Sequence, residues 1–287
     1  MTLPPPDGSR DRRIEDPTNR WIIHPAARAL LRPALRLGVS ANAVSVAGLI
    51  VGAGAAAAFA RWERPGAAAL GLLLAAGWLV LDGLDGMVAR ARGTASPLGR
   101  FLDGLCDHGV FGLIYLGLAL SIGTPGGWAL AIVAAVAHAV QANLYEGERA
   151  RYHRRVKGLP FAAPPARNGL VRAYDLLSTA IDRRAAAFER ALAADPSLAD
   201  AYGRAAAAPM RLEASLAANT RVLAIAGACW LGDPKLFWLF EIGPLTLVAI
   251  GGIAWHRSVE ARLVRRAYSF TPGRDAGRFR LTGDRTS

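Results

Sequence analysis

The stretch from Ala41 to Ala60 holds no charged residue. It is as long as the roughly 20 mainly apolar residues that a helix needs to cross a bilayer. Further apolar runs fall at 66–90, 101–122, 127–148, 212–232 and 236–256, so six spans are expected. The fifth is the weakest, because its fully apolar part begins only after Arg221 and it must recruit earlier residues. With 53% hydrophobic and 20% charged residues, the apolar content sits in blocks instead of being spread over a soluble core. The fold class expected is an all-α polytopic membrane helix bundle.

Charge supplies the orientation. Net charge is +12, and Lys and Arg gather in the N-terminal arm, after the second span, after the fourth and in the tail. The complementary loops hold only Arg61 and Arg64, nothing basic between Gly123 and Gly127, and Lys235. The positive-inside rule puts both termini and the basic loops on the cytoplasmic face of a plasma membrane. Pro4, Pro5 and Pro6 do not read as a cleavable signal, so the first span is expected to stay. Basic residues that flank spans, with no recognition motif, fit anionic lipid headgroups and not nucleic acid. Cys106 and Cys229 sit in separate spans and indicate no disulfide framework.

Four carboxylates near hydrocarbon need a reason, since an ionisable residue inside a span is costly and usually functional. Asp82, Asp85, Gly86 and Ala89 recur at three- and four-residue intervals, which puts them on one helix face. Asp103 and Asp107 are likewise one turn apart. Between the pairs, Gly93 suits a helix C-cap, Ser96 an N-cap and Pro97 the first position of a new helix. The two helices are then antiparallel neighbours, with the aspartates at matching depth. Oxygen ligands converging in this way suit hard divalent ions, Mg²⁺ or Mn²⁺, and two ions would balance the charge of four carboxylates. Gly83, Gly86, Ala89, Gly99 and Gly104 either open a groove for a nucleotide or serve close helix packing. Arg90 is placed to clamp a phosphate oxygen.

The run reads Asp82-x-x-Asp85-Gly86-x-x-Ala89-Arg90, eight residues, then Gly99-x-x-x-Asp103-x-x-x-Asp107. It resembles the signature of the CDP-alcohol phosphotransferase family at every fixed position. The resemblance implies a binuclear metal site held by Asp82, Asp85, Asp103 and Asp107. It also implies Gly86, Ala89, Arg90 and Gly99 near the CDP group, Asp107 as general base, and a homodimer. The expected reaction moves a phosphatidyl group from a CDP-linked lipid donor to a polar alcohol acceptor and releases CMP. Two alternatives stand beside it: transfer from CDP-choline or CDP-ethanolamine to a lipid acceptor, and a divalent-cation transporter or scaffold. A transporter would spread its acids along several spans, whereas these lie on two.

Candidates for the acceptor side are His138, Gln141 and Arg149, which recur with Tyr145 at helical spacing on the fourth span, and Arg221 on the fifth. A phosphorylated alcohol such as inositol phosphate or glycerol phosphate would suit the cations. Equally, the basic residues after the fourth span set topology, and Arg221 snorkels to the interface. The domain reading is an N-terminal arm over 1–40, four spans over 41–157, a cytoplasmic helical insertion over 158–211, two spans over 212–257 and a basic tail over 258–287. Within the arm, Arg28, Arg32 and Arg36 on four-residue spacing predict an amphipathic helix in the headgroup layer. Asn42 either approaches the nucleotide or caps a helix. Glu241 in the sixth span carries no assigned role.

Overall fold

The computed structural model describes residues 11–94, 97–159 and 187–269, with the side chains of 97–105, 107, 268 and 269 outside that set. All regular structure among the described residues is helical. A π-helical turn, Asn19–Ile23, leads into α1 (His24–Arg36). Then follow α2 (Ala41–Phe59), α3 (Ala67–Arg92), α4 (Pro97–Ile122) and α5 (Pro125–Val156). After them come α6 (187–194), α7 (Leu198–Ala205), α8 (Ala207–Glu213), α9 (Ala218–Trp230), α10 (Lys235–Phe240) and α11 (Thr246–Ser269). The chain divides into two compact units: Met1–His153 with Ala207–Ile253, and Arg154–Ala206 with Ala254–Ser287.

Among the described residues the helices long and apolar enough to cross a membrane are α2, α3, α5 and the run Lys235–Ala267, with His108–Ile122 of α4 a shorter apolar helix. This is a polytopic helical membrane protein. The fifth expected span differs from its prediction over 212–232. There α8 ends at Glu213, a 3₁₀ turn covers Ala214–Leu216, and Ala217 is extended with ψ 163° before α9 begins. The 13 residues of α9 reach only about 20 Å, short of the roughly 30 Å of hydrocarbon. The break turns Asn219 and Arg221 inward, where both are buried.

Small residues bring the helices of the first unit close. A Cβ on Gly52 of α2 would lie 2.3 Å from Val110 Cγ2 on α4, and one on Gly71 of α3 would lie 2.6 Å from Phe59 Cδ1. Phe59, Trp78, Ile114, Leu118, Phe237 and Trp238 fill the interior, while Ile50, Leu73, Leu120, Val136 and Ile250 stay exposed. Outward aliphatic side chains are what a bundle solvated by lipid requires, because hydrocarbon gives no reason to hide them.

Helix α1 buries Ala27, Leu31 and Ala34 against Leu84 and Val88 of α3, while Arg32 and Arg36 stay exposed. Ser40 caps α2 by accepting from the Ala43 N–H at 3.2 Å. The cap is therefore Ser40, and Asn42 sits exposed within the helix. At the end of α3, Gly93 takes φ +65° as its C-cap, a conformation costly for residues with a Cβ. Pro97 then opens α4, and Ser96 lies outside the described residues.

In the second unit α6 and α7 are separated at Asp195-Pro196-Ser197, and residues 160–186 of the expected helical insertion lie outside the described residues. Arg155 is fully buried there, paired with Glu189 at 2.8 Å and with Glu260, between the rings of Phe188 and Tyr202. Burial pushes the Glu189 carboxyl upward, but Arg154 and Arg155 outweigh it and hold the group below its ordinary value.

Candidate active site

Asp82 and Asp85, one turn apart on α3, line a cavity of about 660 Å³ within the first unit, in the range of small-molecule sites. Asp85 is 5% exposed. Its Oδ2 accepts the Ser45 hydroxyl of α2 at 2.6 Å, while the same hydroxyl lies 3.2 Å from the Ala41 carbonyl. One O–H makes one strong bond, and the shorter contact to an ionised oxygen is the stronger.

Gly86 and Arg90 also line the cavity, and a Cβ on Gly86 would lie 3.2 Å from Arg90 Nη1. The missing side chain lets the guanidinium fold back along its own helix toward the carboxylates. Gly83 serves packing as well as the cavity wall. The place of its missing Cβ is 3.6 Å from Ala27 Cβ, so α1 covers part of the groove expected there. Ala89 lies on α3 outside the cavity lining. Gly99, Asp103 and Asp107 fall on α4, but their side-chain positions lie outside the described residues. Among the described residues no three His, Cys, Asp or Glu side chains group closely enough to hold a metal ion.

The facing wall comes from α5 and α9. His138, Tyr145, Glu146 and Arg149 line the cavity from α5, and Asn219 and Arg221 from α9. Gln141 does not line it. Its amide nitrogen donates to the Glu241 carbonyl at 2.9 Å and to Thr246 Oγ1 at 3.0 Å, and its oxygen accepts from Arg221 Nη2 at 2.9 Å. Arg221 is 1% exposed and Glu241 0%, so Arg221 does not snorkel to an interface. Its Nε donates to both Glu241 oxygens at 3.0 and 3.1 Å, and Nη1 donates to the Leu216 carbonyl. Glu241 is thus the partner of Arg221, a pairing that a separation of twenty positions hides from helical periodicity.

The N-terminal arm supplies wall residues that sequence patterning did not single out: Asp11, Glu15, Asp16, Asn19 and His24. His24 Nδ1 lies 2.6 Å from Glu15 Oε1. Asp16 Oδ1 accepts from the Thr18 N–H at 2.8 Å and from Asn219 Nδ2 at 3.2 Å, which ties the arm to the start of α9. Burial pushes the Asp11 carboxyl upward, yet the Arg13 hydrogen bonds and charge and the Tyr152 hydroxyl outweigh it and hold the group below its ordinary value. The only signal in the sequence was polarity without period.

Helices long and apolar enough to span a membrane, with a cavity lined by carboxylates and arginines, define an integral membrane protein with a polar internal cavity. Residues 39–158, the segment that carries Asp82, Asp85, Gly86 and Arg90, match the family model of the CDP-alcohol phosphatidyltransferases. No curated protein matches the sequence. Among solved structures it is similar to a Mycobacterium tuberculosis phosphatidylinositol phosphate synthase in complex with manganese and citrate. The two are 17% identical, the alignment covers 85% of this chain and 89% of that one, and the TM-score is 0.41.

Proposed function

We propose that the protein transfers a phosphatidyl group from CDP-diacylglycerol to a polar alcohol with release of CMP. The observation that carries this reading is the juxtaposition of Asp82, Asp85, Gly86 and Arg90 on one wall of a single cavity, within the segment that matches the family. The donor set fits divalent metal. Asp85 is buried and accepts a short hydrogen bond from Ser45, and carboxylate oxygens are the ligands Mg²⁺ and Mn²⁺ prefer. Asp82, Asp85, Asp103 and Asp107 would hold two such ions. When bound, the metal neutralises the donor diphosphate and stabilises charge on the transferring phosphoryl group.

The chain's own groups do the rest. Gly86 leaves room for the cytidine phosphates against the α3 backbone, and Arg90 donates to a phosphate oxygen. The acceptor lies toward His138, Arg149 and Arg221. Asp107 takes the proton from its hydroxyl as the oxygen attacks the phosphorus that bears diacylglycerol. The bond from that phosphorus to the CMP phosphate oxygen breaks, and CMP leaves. Both termini and the site face the cytoplasm in this reading, so the lipid donor enters from the leaflet and the acceptor from water.

The test is CMP release by purified protein in detergent with CDP-diacylglycerol and Mg²⁺ or Mn²⁺. Acceptors to compare are inositol, glycerol, serine, choline, inositol phosphate and glycerol phosphate. Acceptor-dependent, chelator-sensitive release is expected. Silence with CDP-diacylglycerol but turnover of CDP-choline or CDP-ethanolamine with diacylglycerol would replace this reading with the lipid-acceptor one.

A further inference from the structure

The acceptor wall contains two arginines, and each arrives with its own carboxylate. Arg149 lies 3.2 Å from Glu146, both partly exposed. The Arg221–Glu241 pair is almost wholly withdrawn from solvent, at 1% and 0% side-chain exposure. Two opposite charges 3.0 Å apart in a low-dielectric interior present a dipole to a third group, not a net positive charge. A guanidinium has five N–H donors. Arg221 uses Nε on Glu241, Nη1 on the Leu216 carbonyl and Nη2 on Gln141. Each terminal nitrogen therefore keeps one further N–H, on a residue that lines the cavity.

Glu241 also reaches a second wall residue. His138 Nδ1 lies 3.9 Å from Glu241 Oε2. That nitrogen has no hydrogen-bond partner among the described residues, although His138 is 8% exposed and lines the cavity. The main-chain carbonyl of Glu241 holds Gln141, which holds Arg221 in turn. One buried acid on the π-helical turn Glu241–Leu245 thus sets both the charge and the direction of the groups that meet the acceptor.

We propose that Glu241 is the specificity-determining residue of the acceptor site: by neutralising and aiming Arg221 it selects an alcohol that carries no phosphate at that end, such as a free polyol or amino alcohol. This rests on the transferase reading above. An uncompensated buried arginine would attract a phosphate strongly, while a compensated one offers neutral-type hydrogen bonds to hydroxyls and sets Glu241 against an incoming anion. Glu241 is a positioning residue here. It acts through Arg221 and His138, since it does not itself line the cavity.

The experiment compares kcat/KM for unphosphorylated and phosphorylated acceptors, inositol against inositol phosphate and glycerol against glycerol phosphate, with CDP-diacylglycerol saturating. The wild type should prefer the unphosphorylated member of the pair it uses by about tenfold or more, and Glu241→Gln should shift that ratio toward the phosphorylated member by at least about tenfold, as expected when one charge of a close pair is removed. A merely structural pair would lower stability and both rates together, leaving the ratio unchanged. Because Glu241→Gln leaves a buried cation unpaired and so destabilises the fold, a second variant is measured: the double change Glu241→Gln with Arg221→Gln keeps a neutral hydrogen-bonded pair and should retain the wild-type preference. A wild type that prefers phosphorylated acceptors, or a folded Glu241→Gln protein with an unchanged ratio, would overturn the proposal. Failure of every acceptor would instead sink the transferase reading on which it stands.

Discussion

The two walls of the cavity are built on opposite plans. On the α3 wall the chemistry is local: Asp82, Asp85, Gly86 and Arg90 fall within nine consecutive residues of one helix, and Ser45 donates a short hydrogen bond to Asp85. On the facing wall Arg221 is held from α5, from the turn before α9 and from the turn before α11. The N-terminal arm joins that wall through Asp16 and Asn219, 203 residues apart. A reaction common to a family needs the first kind of wall, where helix geometry alone fixes the spacing. Choice of acceptor can reside in the second, where one substitution changes the charge without moving the reacting groups.

That contrast predicts a hierarchy of effects. Asp85→Asn should lower CMP release by about 10²–10⁴-fold, the scale of losing a group that acts on the reacting centre. Donor binding measured alongside would separate lost chemistry from a collapsed site, and retained turnover would end the functional distinction between the walls. Ser45→Ala removes one hydrogen bond to a buried carboxylate, worth about 1.5–3 kcal/mol. It should slow turnover by roughly tenfold or more while leaving the acceptor ratio unchanged, which a side-by-side acceptor comparison would check.

Gly52→Ala acts on the frame beneath the α3 wall. Its new methyl would lie 2.3 Å from Val110 Cγ2, and overpacking of this kind costs about 1–3 kcal/mol, readable as a lower midpoint of thermal unfolding in detergent. The smallest effect belongs to the arm. Asp11 has its pKa depressed in the folded protein, so its contribution is present above the unfolded value, near 3.8, and is lost as pH falls through the lower folded value. Asp11→Asn should therefore reduce stability by under about 1 kcal/mol near neutral pH, as for a partly exposed pair screened by solvent. The difference between variant and wild type should shrink below about pH 4, where an unpaired carboxyl protonates. Urea or thermal unfolding at two pH values would measure it.

The same contrast explains what could be read before any coordinates. The membrane class followed from apolar runs such as Ala41–Ala60, and the α3–α4 turn from Gly93 and Pro97, because both are local effects of sequence on backbone. The aspartate motif was legible for the same reason. Glu241 looked unpaired because its partner is twenty residues away across a turn and a break, and hydropathy reports neither. The break itself was lost in the alanine-rich stretch 214–218, where only the extended Ala217 ends the helix. Gln141 shared the helical spacing of His138 and Tyr145, but spacing gives the face, and buried polar partners decided where its amide turned.

The tie between Asp16 and Asn219 has a consequence for biosynthesis. A ribosome delivers the entire aspartate signature to the membrane long before residue 219 is made, so a nascent chain can insert its first helices with only one side of the cavity formed. The arm must wait, undocked, until α9 arrives, and Glu241 follows later still. If the proposed function holds, catalytic competence comes near the end of translation, and a truncated product that stops before α9 would carry the whole signature with only one wall of the cavity.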